Sequence, residues 1–182
     1  MNPVTTPYEV WQTVTVGRGF PKSEILFLLG HACEIDDQAT MFLKRSRFWV
    51  SRVEGKVDFV LVPVRSLGLT RISYSAIVAR ARELGLYQCT VEAALNLRLQ
   101  YCERQMQPGE PEMIPVAMKP ISTKWQGRDR PSILCLAGGA ASMNQRPELC
   151  VRHVHGKDEG GDLESDVQDG EVWAFVLPRM DY

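Results

Sequence analysis

The sequence predicts an α+β fold, with helices mainly in the N-terminal half and a mostly antiparallel sheet completed by C-terminal strands. Two observations carry this. Apolar residues at helical spacing gather before residue 95, while the runs Ser132–Ala137, Leu149–His155 and Glu171–Leu177 near the C-terminus are strand-like. The rhythm also changes within one stretch. Up to Ala94 the chain reads as helix ends and caps, but from Leu95 the apolar Leu95, Leu97, Leu99 and Tyr101 alternate with the polar Asn96, Arg98 and Gln100. That alternation predicts a strand with one buried and one wet face.

The elements follow in order. Val10–Val16 is β-branched and stops at Gly17-Arg18-Gly19, a first strand. Pro21 precedes Glu24–Cys33, where Ile25, Leu28, Leu29 and Ala32 share a helical stripe. Asp36 and Asp37 can cap a second helix through Ala39, Met41, Phe42 and Leu43, ending at Lys44 and Arg45, where cations suit the dipole. Arg47–Val53 and Val57–Val64, parted by Glu54-Gly55-Lys56, predict a β-hairpin. Ser73 introduces the best helical pattern of the chain: Ile77, Val78, Ala81 and Leu84 form one stripe and Gly85 follows as its stop. Thr90 caps a single turn, Val91–Ala94, before the strand at Leu95–Tyr101, whose partner across the loop Gln107–Pro111 is Met113–Ile121. Pro115 marks that partner as an edge or a bulge.

The 182 residues suit a single domain over 1–182, with 1–8 and 157–170 as flexible parts. A hydrophobic share of 45% and a charged share of 24% match an average globular protein, which disfavours disordered and fibrous classes. A net charge of −1 selects no partner. No apolar run is long enough to span a bilayer, and the first residues lack the pattern of a signal peptide, so a cytoplasmic protein without a membrane partner is expected. Five cysteines without a C-x-x-C pair read as reduced, mostly buried thiols. No cofactor is expected.

Five motifs resemble a group of short, uncharacterised bacterial proteins: Val14–Gly19 with its Gly-x-Gly turn, Val57–Leu69 ending in Leu-Gly-Leu, and the helix end Arg80–Leu86. The others are Cys89-Thr90-Val91-Glu92 leading into Leu97–Tyr101, and Val116–Ile121. The likeness covers roughly residues 11–121, with Val172–Arg179 similar to a closing strand. Thr90 stands where the group has proline, and Ala93-Ala94 where it has Gly-Pro. The resemblance implies the fold and a bacterial origin, and it assigns no catalytic residue.

Glu92, beside Cys89, could serve as a general base, yet an acid in a first helical turn serves the dipole equally well. The cluster His31-Ala32-Cys33-Glu34-Ile35-Asp36-Asp37 holds a nucleophile, a base and ligand types, but its spacing matches no known signature, and Cys33 falls at the helix end that disfavours a thiolate. His153 and His155 would share a strand face, and a third ligand from His31 or from Asp158-Glu159 would be needed for a metal, so no metal site is assigned. Gly138-Gly139 lacks the Lys-Ser/Thr of a phosphate loop. The basic residues Lys44, Arg45, Arg47, Arg52 and Lys56 surround Phe48 and Trp49, a mixture suited to phosphates and bases. The acids Asp158, Glu159, Asp162, Glu164, Asp166, Asp169 and Glu171 could cover that patch.

The expectation is a non-catalytic binding domain with a protein or nucleic-acid partner, its nucleic-acid residues being Lys44, Arg45, Arg47, Trp49, Arg52 and Lys56. The alternative is a small hydrolase-type enzyme using Glu92 and the His31/Cys33/Asp37 cluster. A third reading makes Met113–Ile121 an exposed edge for assembly.

Overall fold

A three-stranded sheet and a five-stranded sheet form the frame. The computed structural model describes residues 8–46, 48, 50–102, 111–125, 127–138, 146–154 and 167–178. In the smaller sheet β3 (Gly55–Pro63) lies between β1 (Gln12–Val16) and β8 (Val172–Leu177), antiparallel to both. The larger sheet runs β2 (Glu34–Ile35), β7 (Glu148–His153), β6 (Arg128–Ala137), β4 (Met113–Pro115), and β5 (Ile121–Trp125) also pairs with β6. Its pairings are antiparallel apart from β2 with β7, which is parallel. Four helices complete the described chain: α1 (Lys22–Ala32), α2 (Asp37–Arg45), α3 (Tyr74–Glu83) and α4 (Val91–Cys102). The architecture is therefore α+β, as the sequence predicts. No described helix is long and apolar enough to cross a membrane.

Local chemistry explains most boundaries. Gly17 ends β1 at φ +71°, and a Cβ there would lie 1.9 Å from the Val53 carbonyl oxygen, so only glycine fits. The Asp36 carboxylate accepts the Ala39 amide and caps α2, while the Ser73 hydroxyl accepts from Ala76 and caps α3. At the other end of α3, Leu86 N–H bonds to Ala81 C=O and Gly85 N–H to Arg82 C=O, a Schellman closure with Gly85 at φ +77°.

Three expected elements differ. Leu95–Tyr101 is not a strand but the body of α4, which Thr90 caps by accepting from Ala93 N–H. Residues 92–98 are all buried, so this helix has no wet face to give it a helical stripe. Its polar residues are instead satisfied one at a time. Asn96 donates to the Glu92 carbonyl, Arg98 to the Ala137 carbonyl and Gln100 to the Thr15 carbonyl. The alternation that imitates a strand is thus a series of separate internal bonds.

Among the described residues of 47–64 the expected hairpin is also not formed. β3 starts at Gly55, and its partner is β1, with Val16 opposite Gly55. The preceding residues are held as a turn because Ser51 N–H bonds to Glu92 and the Ser51 hydroxyl to the Val53 carbonyl. Met113–Ile121, finally, neither pairs with 95–101 nor offers an exposed edge. Met113–Pro115 is strand on β6, Ile121 opens β5, and Val116–Met118 between them are buried. Val116 N–H bonds to Leu134 and Ala117 N–H to Ala174, so this segment joins the two sheets. β5 and its hairpin with β6 are additional to the expected elements.

The core lies between these layers, with Trp173, Phe59, Leu95 and Leu97 each 0% exposed. Of the loop expected to be flexible at 157–170, residues 167–170 are described: Val167 is buried, and Asp169 C=O accepts Arg65 N–H. Residues 157–166 and 1–7 lie outside the described residues.

Candidate functional site

Two surface regions gather functional groups. The first is basic. Lys44 and Arg45 are exposed on the last turn of α2, which packs against β5. Arg45 Nη1 donates to the Ser122 carbonyl at 3.3 Å and to Asp129 Oδ1 at 3.1 Å, fixing the end of α2 to the β5–β6 hairpin. That hairpin carries the exposed Lys124 directly opposite Asp129, while the exposed Arg128 and the half-buried Arg130 alternate with Asp129 and belong to the other face of the strand pair.

The other predicted nucleic-acid residues sit on different elements. Arg52 is exposed in the turn before β3, and Lys56 is exposed on β3 opposite Thr15. Arg47 and Trp49 lie outside the described residues. Phe48 is half-buried, and Lys22 holds its ammonium 4.8 Å from the ring centre while donating to the carbonyls of Leu43 and Ser46. The sequence pointed to one of two basic-aromatic segments. Lys124-Trp125 and Arg128-Asp129-Arg130 repeat the same composition, a second basic-aromatic signal in the sequence.

The second region is acidic. A depression of about 380 Å³ is lined by Cys33, Glu34, Asp36, Arg146 and Glu148 among others. Parallel pairing of β2 with β7 creates it by setting Glu34 opposite Glu148. Burial and then the neighbouring Asp37 carboxylate raise the pKa of Asp36, against amide hydrogen bonds from Ala39, Val151 and Gln38. Burial and then the carboxylates of Asp36 and Glu34 raise that of Glu148, opposed by Arg98. Glu148 and Arg146 had no sequence signal, because a two-residue parallel pairing over a separation of more than a hundred residues leaves no periodicity.

The cluster His31–Asp37 is therefore only partly convergent. Cys33, Glu34 and Asp36 line the depression, whereas the exposed His31 ring packs edge-on against Phe27 with centroids 4.4 Å apart. The Cys33 thiol donates to the Leu29 carbonyl at the C-terminus of α1.

Glu92 is 4% exposed and belongs to neither region. Its Oε1 accepts Gly17 N–H and its Oε2 accepts Ser51 N–H, both at 2.8 Å. Burial pushes the nearby Cys89 thiol up to about 12, which removes a thiolate partner from that corner. His153 shares a hydrogen bond of 2.9 Å with the Ser132 hydroxyl, and His155 lies outside the described residues. Among the described residues no group of three or more His, Cys, Asp or Glu side chains is placed to hold a metal ion. Gly138 N–H bonds to the Glu112 carbonyl, continuing the strand pairing. Of the acidic tract, Asp169 is exposed and Glu171 is engaged with Arg152 at 2.7 and 2.8 Å and with the Trp173 indole. The remaining acids of the tract lie outside the described residues.

No family model matches the chain, and no curated protein or solved structure matches it.

Proposed function

We propose that this is a cytoplasmic bacterial binding domain, non-catalytic, with a protein or nucleic-acid partner, and that a nucleic acid lies over the end of α2 and the β5–β6 hairpin. The supporting observation is the Arg45 bond to Ser122 and Asp129, which docks the end of α2, with Lys44, against the hairpin that carries Lys124 opposite Asp129. Lysine and arginine from two elements fixed against each other form a surface that phosphates can neutralise without ordering loose side chains. Arg47, Trp49, Arg52 and Lys56 extend this reading along the chain.

Fluorescence anisotropy of the whole chain with labelled single- and double-stranded oligonucleotides at low salt tests it. Binding is expected to weaken with salt, and the Lys44→Glu, Lys124→Glu double variant should lower the slope of log K against log salt by about 1–2. Absence of salt-sensitive binding to either nucleic acid overturns the nucleic-acid reading.

A small hydrolase-type activity is a second reading, supported by one observation: Asp36 and Glu148, both with raised pKa, flank Cys33 in one depression. Glu92 has no part in it, since both its oxygens hold backbone amides. If turnover of simple ester substrates is found and persists unchanged in Glu148→Gln, this placement is wrong.

A further inference from the structure

Cys135 on β6 and Cys150 on β7 stand directly opposite each other in the antiparallel ladder. They form, with Ala137, a small buried cluster apart from the main core, Cys135 being 0% and Cys150 8% exposed. The Cys150 thiol already turns toward its partner strand, donating to the Cys135 carbonyl at 3.6 Å. The ladder also fixes the kind of pairing. Val154 N–H bonds to the Pro131 carbonyl at 2.8 Å, and hydrogen-bonded pairs recur at every second residue from there, so Cys135 and Cys150 are such a pair. Partners of this kind have Cα atoms about 5.5 Å apart, inside the window of roughly 4.4–6.8 Å that a disulfide spans.

We infer that Cys135 and Cys150 are a redox pair, closing to a reversible cross-strand disulfide when a peroxide reaches Cys150. The Cys150 thiolate attacks one peroxide oxygen, the O–O bond breaks, and hydroxide leaves as a sulfenic acid forms. The Cys135 thiol, which burial and then the neighbouring Cys150 hold well above its ordinary pKa, attacks that sulfur and gives its proton to the departing hydroxide, forming the S–S bond. The two thiol protons end in two waters, and the two electrons end on the peroxide oxygens. A dithiol reductant reverses the change. A bridge between hydrogen-bonded strand partners is shaped by the sheet rather than by its own preferred geometry, which makes it easy to reduce. Closure would tighten the strand that carries Glu148, next to Leu149, whose carbonyl accepts Asp36 N–H.

The whole chain, native and reduced, is treated with hydrogen peroxide, quenched, and its thiols counted in denaturant. The count should fall from five to three and return to five with dithiothreitol. Proteolysis after Glu148, which separates the two cysteines, should yield one linked peptide pair joining Cys135 to Cys150. Cys150→Ser should show the same thiol count before and after treatment. A native count that stays at five under a peroxide dose that oxidises an exposed thiol, or a linkage through other cysteines, overturns the inference in the wild-type protein itself.

Discussion

Helices α3 and α4 are of similar length, ten and twelve residues, and they teach opposite lessons about what a sequence pattern records. α3 buries Tyr74, Ile77 and Ala81 along one side and exposes Ser75, Ala79, Arg82 and Glu83 on the other. α4 is enclosed: every residue from Glu92 to Arg98 is buried. The amphipathic stripe is therefore a report of a one-sided environment, not of helicity as such. Where the environment surrounds the helix, its side chains follow the partners available on each side. Glu92 answers the amides of Gly17 and Ser51, Arg98 the carbonyl of Ala137, and Gln100 that of Thr15. α4 thus ties β1, the turn before β3 and β6 to one another.

The largest test of this contrast is truncation at the centre of α4. Leu97 is 0% exposed, and Leu97→Ala should cost about 2–5 kcal/mol in chemical denaturation, the range for a buried leucine whose cavity cannot collapse. Ala79, exposed on α3, should tolerate Ala79→Ser within about 0.5 kcal/mol. Equal costs at the two positions would mean that α4 is not the enclosed element.

Glu92→Ala should follow at about 2–4 kcal/mol, because two amide groups that the carboxylate now satisfies would be left without an acceptor. Glu92→Gln keeps one carbonyl oxygen and places an NH₂ against the other amide, so it should recover only part of the loss. Full stability in Glu92→Gln would show that one acceptor suffices.

What was legible in the chain follows the same division. α1 could be read from its one-sided stripe, and α2 and α3 also from their local caps, Asp36 and Ser73. β6, β7 and β8 could be read because continuous apolar runs in this length range suit buried strands. Strand partners were not legible. Gly55 looks like a hairpin turn in sequence, but the Glu92 carboxylate, 41 residues from Ser51, holds the preceding segment and gives β3 to β1 instead. The site divides likewise. Lys44 and Arg45 were visible as a basic run, whereas the pairing that puts Glu148 beside Glu34 and Asp36 depends on β2 meeting β7.

The smallest effect is the most discriminating, because it alters the same local device in both helices. Ser73 caps α3 by accepting from Ala76 at 3.2 Å, and Thr90 caps α4 by accepting from Ala93 at 3.1 Å. Each hydroxyl removed by Ser73→Ala or Thr90→Ala should cost about 1 kcal/mol globally. The distribution of that cost should differ. The first turn of α3 exposes Ser75 while Tyr74 and Ile77 are buried and the Tyr74 hydroxyl bonds to Met118, so Ser73→Ala should speed amide exchange chiefly at residues 74–77 while leaving the other core amides in their former rank. The turn after Thr90 leads straight into Glu92 and Ala93, whose packing also fixes Gly17 and Ser51, so it cannot open without loosening β1. Thr90→Ala should therefore speed exchange of the α4 and β1 amides together, and exchange confined to residues 91–94 would show that α4 opens locally as α3 does.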